Sequence, residues 1–320
     1  MPTRSLRTPR ISVVTPLFNC LAHTQAMVAS LRGTIPPWIA YEVILVDDGS
    51  TDGTREWLAR LGDPFRVILN ERNEGFAAAT NRGAAAARGR ILALLNNDLI
   101  LKRGWLRPML SALRLLGRRA GLVGNVQIDA ASHEVDHAGI IVNLKGKPEH
   151  DRRRPGLASL LFRPAPGAFA VTGACLLVRA ATWRRLGGFD EAYVNGCEDI
   201  DLCLRARQAG LVNVVALRSR VLHHVSSSPG RKLRDEENTR RLVQRWHREL
   251  AVAACRPVAW DQFLEVLPEP RDFPDKAEAL RTALYLARMR GSPPEPAVAV
   301  LEKAIDLELA RWREMFSNSA

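Results

Sequence analysis

Four polar clusters in this 320-residue chain carry residue types that could do chemistry. Val46-Asp47-Asp48-Gly49-Ser50-Thr51-Asp52-Gly53 and Leu95-Asn96-Asn97-Asp98 each close an apolar, strand-like run. An aspartate just past a strand accepts hydrogen bonds from a nucleobase or ribose. Asp98 is placed to hold a divalent ion bridging substrate phosphates, since magnesium is commonly bound by one or two carboxylates plus phosphate oxygens. Taken singly, each cluster also reads as a polar turn with a helix cap. Gly196-Cys197-Glu198-Asp199-Ile200-Asp201 crowds acids into the first turn of a helix, where the dipole favours them. His223-His224 ends another apolar run, a place for either a ligand or a hydrogen-bonded surface histidine.

Several chemistries are set aside by motif. The chain has no GxxxxGKS/T loop and no GxGxxG after its first apolar run, so neither standard phosphate cradle is present. His133-Glu134-Val135-Asp136-His137 spells HExxH, but that zinc-protease pattern needs a helix to bring both imidazoles to one face. Here it lies between Ser132 and Gly139, ahead of the strand-like Ile140-Ile141-Val142, and reads as a turn.

The elements that must position these clusters follow from periodicity. Residues 11–16, 43–46, 65–69, 91–95 and 122–128 are apolar on both faces and predict strands. Residues 21–32, 54–61, 76–88 and 104–116 predict the helices between them. Strands buried on both faces and separated by helices make an α/β fold with a mainly parallel central sheet. Ligands of such sheets gather at the carboxyl ends of the strands, so the clusters at Asp47 and Asp98 share one edge, which favours chemistry over two coincidental turns. Further on, Val171–Val178 predicts a strand with Gly173 where a backbone approaches a ligand closely, followed by a helix over 181–186 and another from Glu198 through Ala209. The expected divisions are a basic arm over 1–10, an α/β half over 11–124, a second half over 125–230 and a helical extension over 231–320. In the last helix Val298, Leu301, Ile305, Leu309, Trp312 and Phe316 fall on one stripe, a face for docking or for a homodimer.

Composition bounds the setting. With 47% hydrophobic residues the chain can bury the cores of about two domains. Lysine and arginine number 46 against 34 acids, a formal charge of +12 that attracts nucleic acid, anionic lipid and nucleotide diphosphates alike. Five scattered cysteines without a CxxC pair indicate neither a disulfide framework nor a structural zinc. No run approaches the ~20 apolar residues of a membrane span. The expectation is a cytoplasmic protein whose basic face can rest on the inner membrane surface.

Read in order, Val14-Thr15-Pro16-Leu17-Phe18-Asn19, Val46-Asp47-Asp48-Gly49-Ser50, Asn73-Glu74-Gly75-Phe76, Asn81-Arg82-Gly83, Leu95-Asn96-Asn97-Asp98, Thr172-Gly173-Ala174-Cys175, Gly188-Phe189-Asp190-Glu191, Glu198-Asp199 and His223-His224 resemble the family 2 glycosyltransferases of the GT-A fold, among them bacterial polysaccharide and rhamnosyl transferases. The resemblance covers about residues 11–228. It implies an inverting transfer of a sugar from a UDP-, dTDP- or GDP-linked donor to a hydroxyl of a glycan or lipid-linked acceptor in cell-surface polysaccharide assembly, with no nucleic-acid partner. Pro16, Phe18, Asp48, Asn73 and Gly75 would bind the nucleoside, with Asn96 and Asn97 beside it. Asp98 would hold Mn2+ or Mg2+, joined by His223 ahead of His224. Asn96 stands where the family often has aspartate, which removes a charge from the metal site. By the same resemblance Asp199 would be the catalytic base, with Glu198, Gly173 and Ala174 at the acceptor. Ser226–Ser228 with Arg231 and Lys232 are expected to form part of a loop that closes on phosphate.

Two other readings use the same residues. A nucleotidyltransferase shares the sheet and acids but carries a glycine-rich basic signature near its first strand, which Pro16-Leu17-Phe18-Asn19 lacks. A non-catalytic polyanion-binding scaffold on the same fold accords with the softened Asn96 but not with the presence of Asp98, Glu198 and Asp199 together.

Overall fold

The computed structural model describes residues 9–224, 234–266 and 276–317. Residues 1–8 of the expected arm over 1–10, and the expected phosphate-closing loop of Ser226–Ser228, Arg231 and Lys232, lie outside the described residues. The chain forms two compact units, Met1–Ile140 with His150–Asp235, and Ile141–Glu149 with Glu236–Ala320.

The first unit opens with four parallel strands, β1 (Ile11–Leu17), β2 (Tyr41–Asp47), β3 (Phe65–Leu69) and β4 (Ile91–Leu95), side by side in the order β3-β2-β1-β4. Helices α1 (Leu21–Arg32), α2 (Thr54–Leu58) and α3 (Phe76–Ala85) connect them. All seven residues of β1 and all five of β4 are buried, as strands covered on both faces must be. Helix α1 buries Thr24, Met27, Val28 and Leu31, the spacing of one helical stripe.

Beyond β4 the chain adds β5 (Leu99–Leu101), α4 (Leu106–Leu116), β6 (Ala120–Asp129), β7 (Val135–His137), β8 (Ile140–Val142), β9 (Pro148–His150), α5 (Leu157–Phe162), β10 (Cys175–Arg179), α6 (Ala180–Leu186), α7 (Glu198–Gln208) and β11 (Val212–His223). The sheet continues β4-β10-β6-β11-β5, with β7 on β6, while β8 and β9 pair separately. Strand β10 is antiparallel to both β4 and β6, and β11 is parallel to β6. Six strands, β1 to β4, β6 and β11, therefore run one way. Their carboxyl ends, together with the starting ends of β5 and β10, lie on a single edge. The strand expected over 171–178 begins only at Cys175, because 171–174 is irregular backbone at that edge.

The HExxH run is not a helix. His133 sits in a turn with φ 59 and Val135–His137 is β7, which removes the zinc-protease reading.

The second unit is built around α8 (Asp235–Arg245), α9 (His247–Val266), α10 (Lys276–Leu286) and α11 (Glu295–Ser317). The apolar stripe of α11 is used inside this unit. It packs on α9, burying Val298, Leu301, Ile305 and Trp312, with Leu309 and Phe316 half-buried. That stripe is thus covered by the chain itself, not left for a second copy. Among the described residues no helix is long and apolar enough to cross a membrane.

Candidate active site

At the common edge the loops after β1 and β2 are tied together. Ser50 Oγ accepts the Asn19 N–H at 2.8 Å, Asn19 Oδ1 accepts the Thr51 N–H at 2.8 Å, and Asp52 Oδ2 accepts the Leu21 N–H at 2.9 Å. Asn19 and Cys20 reach this arrangement through left-handed backbone, with φ 54 and 58. Pro16 is buried in β1 opposite Val46, whereas Phe18, just past the strand, is 40% exposed and presents its ring at the edge.

Asp48 is buried and fully engaged. Its oxygens accept Asn70 Nδ2 at 2.7 Å, the Glu74 N–H at 3.0 Å and the Gly75 N–H at 2.8 Å, so it holds the loop after β3 against the loop after β2. That loop passes so close that a Cβ on Gly49, where φ is +84, would meet Arg72 C and Asn73 N at 2.8 Å. Asn73 is exposed and turns its Oδ1 onto the Gly75 N–H at 3.0 Å. The buried Asp47 instead pairs with Arg55 at 2.7 Å. Arg82, from the Asn81-Arg82-Gly83 run, pairs with Glu74 at 2.8 Å and reaches the Asn70 side chain.

The Asn96-Asn97-Asp98 turn distributes its groups in three directions. The Asn96 N–H donates to the Ala174 carbonyl at 2.8 Å, and Asn97 Nδ2 donates to Thr24 Oγ1 at 3.0 Å. Asp98 is buried, with Oδ1 3.4 Å from His223 Nε2. The other ring nitrogen of His223 faces Asp136 Oδ2 at 3.5 Å, and Asp136 lies 3.7 Å from His150 and 3.5 Å from Arg152. Burial opposes charge on His223, but the facing carboxylates of Asp136 and Asp98 outweigh it and push its pKa up to about 9. Burial likewise opposes charge on Asp136, and its two histidine neighbours pull it far below the usual carboxylate range. His137, wholly buried, is driven down to about 3 by desolvation and the neighbouring His150 charge. Of the two adjacent histidines, His223 is the one that meets Asp98, while His224 packs against the His23 ring at 4.7 Å.

The acidic helix start approaches from the other side. The Gly173 N–H donates to Asp199 Oδ2 at 2.6 Å and the Ile200 N–H donates to Oδ1 at 2.8 Å, so one carboxylate serves both a helix terminus and the backbone ahead of β10. Glu198 is buried and accepts the Gly196 N–H at 2.7 Å. Two side chains fix the approach of α7. Arg205 pairs with Asp201 at 2.7 Å and bonds the Gly188 carbonyl at 2.7 Å, and Asn81 grips Phe189 through both its N–H and its carbonyl at 2.9 Å. A Cβ on Gly188 would strike Asn81 Oδ1 at 2.5 Å.

Gly173 and Ala174 thus join the two acidic clusters, one through its N–H to Asp199 and the next through its carbonyl to Asn96. Asp136 is the residue that reading the sequence missed. Its signal was an acid inside the otherwise buried β7, masked by the HExxH spelling around it. No group of three His, Cys, Asp or Glu side chains among the described residues could hold a metal ion. Asp98 and His223 supply one hard oxygen and one imidazole nitrogen side by side. Neither His223 nitrogen makes a hydrogen bond, and the one away from Asp98 faces a carboxylate, as ligating histidines commonly do. These residues fit a divalent ion whose remaining positions are filled by substrate oxygens and water.

Comparison with known proteins places the fold and the family. The chain is 30% identical to an O-antigen biosynthesis protein, RfbC, of Myxococcus xanthus, over 69% of this chain and 18% of that protein, so it spans under a fifth of that relative's length. It is 29% identical to an N-acetylglucosaminyl-diphospho-decaprenol L-rhamnosyltransferase of Mycobacterium tuberculosis, over 69% of this chain and 78% of that one. Among solved structures, GalNAc-T7 with UDP, GalNAc and Mn2+ superposes with a TM-score of 0.61 at 20% identity, over 74% of this chain and 48% of that one, which identifies the GT-A fold. Residues 12–182 match the family model described as glycosyl transferase family 2, and with more than half its length so matched the chain belongs to that family.

Proposed function

We propose that this chain transfers a sugar from a nucleotide-diphosphate sugar, UDP-, dTDP- or GDP-linked, to a hydroxyl of a glycan or lipid-linked acceptor in cell-surface polysaccharide assembly, with inversion at the anomeric carbon and at the cytoplasmic face of the membrane. The observation that carries the reading is the bridge through Gly173 and Ala174, which ties Asp199 and the Asn96-Asn97-Asp98 turn to one short stretch of backbone at one sheet edge.

The roles follow from position. Residues 11–124 hold the donor: the exposed Phe18 ring and buried Pro16 border the base, and Asn73, Gly75, Asn96 and Asn97 line the nucleoside side. Asp48 acts by holding the loop that carries Asn73 and Gly75. Asp98 and His223 would hold Mn2+ or Mg2+, which would supply positive charge against the departing diphosphate. Residues 125–230 hold the acceptor, with Glu198, Gly173 and Ala174 along its path. Asp199 takes the acceptor hydroxyl proton as that oxygen attacks the anomeric carbon from the face opposite the leaving nucleotide. Its two backbone N–H bonds hold the carboxylate in one orientation for that task.

The deciding experiment is a donor screen read by nucleotide release, with Mn2+ or Mg2+ and a panel of glycan and lipid-linked acceptors. Acceptor-dependent release that Asp199→Asn abolishes supports the assignment. Intact donor throughout, from folded protein that binds no nucleotide diphosphate, would falsify it.

A further inference from the structure

The helix α5 wears its apolar residues on the outside. Leu157 is 71% exposed, Leu161 54% and Phe162 81%, while Ser159 and Leu160 turn inward and the Leu160 carbonyl accepts Arg218 Nε at 2.8 Å. At 3.6 residues per turn, positions 157, 158, 161 and 162 share one arc, so Leu, Ala, Leu and Phe together face solvent. That is the reverse of an ordinary surface helix, which buries its apolar stripe.

The flanks of this arc are basic. Arg152, Arg153 and Arg154 precede the helix, Arg163 follows it, and all four are exposed. Arg153 is matched locally by Asp151 at 2.7 Å and Arg152 lies 3.5 Å from Asp136. Arg154 instead joins Lys102 and Arg220 around a cleft of about 510 Å³ whose walls include Leu157 and Leu160 and no acidic side chain. The same cleft is lined by Val135 and Leu222, which alternate along their strands with Asp136 and His223, so it lies on the opposite face of the sheet from those two side chains.

Exposed leucine and phenylalanine ringed by arginine is the surface chemistry of a segment that seats its apolar side chains at the level of lipid headgroups while cations pair with anionic phosphates. We infer that α5 and its flanking arginines dock this protein on an anionic bilayer. The inference rests on the membrane-face placement in the proposed function and names the surface that makes it; vesicle binding is read without a donor, so its failure is distinguishable from a failure of sugar transfer.

The test is flotation of the full chain with phosphatidylcholine vesicles, with and without phosphatidylglycerol. The expected result is flotation with the anionic vesicles only, weakened by salt. Leu161→Ser with Phe162→Ser, and separately Arg154→Ala with Arg163→Ala, each lower the partition coefficient by about tenfold while circular dichroism and thermal midpoint stay as in the parent. Absence of the parent from the floated fraction overturns the inference. So does equal flotation of the Leu161→Ser, Phe162→Ser variant, or sedimentation that is the same without lipid, which marks the arc as a contact between copies of this chain.

Discussion

The Gly173 N–H donates a 2.6 Å hydrogen bond to the Asp199 carboxylate, and a Cβ placed on that glycine would come within 3.3 Å of Asp199 Cβ. The backbone before β10 therefore sets where the acid at the start of α7 points. Asp199→Asn is expected to lower kcat by about 10²–10⁴-fold, the range for loss of a positioned base, with donor affinity little changed. Gly173→Ala forces a shift of a few tenths of an ångström and is expected to lower kcat about tenfold. Nucleotide-release kinetics separate the two effects, and near-parental turnover by Asp199→Asn removes Asp199 as the base.

His223 stands between two carboxylates, Asp98 at 3.4 Å and Asp136 at 3.5 Å, and only the first is proposed to touch metal. Asp136 is then a positioning residue that fixes the imidazole's orientation. Asp136→Asn is expected to weaken metal affinity by about 10–100-fold, with turnover restored at saturating metal. Asp98→Ala should abolish metal-dependent donor binding at any practical metal concentration. Calorimetric titration of metal and nucleotide diphosphate distinguishes them. A lower thermal midpoint in Asp136→Asn that excess metal does not offset would mark the residue as merely structural.

What the sequence made legible was local. Strand β4 reads as a buried strand because Ile91-Leu-Ala-Leu-Leu95 leaves no polar face, and α1 reads to the residue because its buried positions repeat at helical spacing. The common edge followed from the strand-then-helix rhythm. The reversal of β10 did not, since a strand's direction depends on the neighbours it joins and not on its own residues. Asp136 was invisible for the same reason: its meaning comes from His223, far along the chain. The α11 stripe announced a packing face, but that α9 covers it is a tertiary fact. Asp48 was expected at the base, yet its hydrogen bonds show a carboxylate occupied with the 70–75 loop, which no spacing rule reveals.

That occupation has a measurable consequence for stability. Asp48→Ala leaves the Asn70 amide and the Glu74 and Gly75 N–H groups without their acceptor, and should destabilise the fold by about 2–3 kcal/mol. Gly49→Ala combines an unfavourable left-handed backbone at φ +84 with a 2.8 Å approach to the Arg72 and Asn73 backbone, and should cost about as much. Denaturant unfolding gives both values. A change under about 0.5 kcal/mol in either variant would show that the loop after β3 is not pinned at this point.

In the second unit, Glu308 receives Arg311 and Lys147, each at 2.7 Å, and these hydrogen bonds and charges pull its pKa down to about 2. A carboxyl depressed by folding contributes stability that is fully present above its unfolded value and is lost as pH falls toward its folded value. Arg311, whose pKa its hydrogen bond to Glu308 raises, stays charged throughout that window, so the titration is assigned to Glu308. Discounted because Arg311 is half-exposed, the contribution is about 1 kcal/mol. Glu308→Gln is therefore expected to be less stable than the parent at neutral pH. The gap should close as pH is lowered from about 4.5, the ordinary glutamate value, toward about 2. Thermal unfolding of both proteins across that range reads the difference directly. A gap that stays constant would mean that Glu308 contributes through packing and not through its charge.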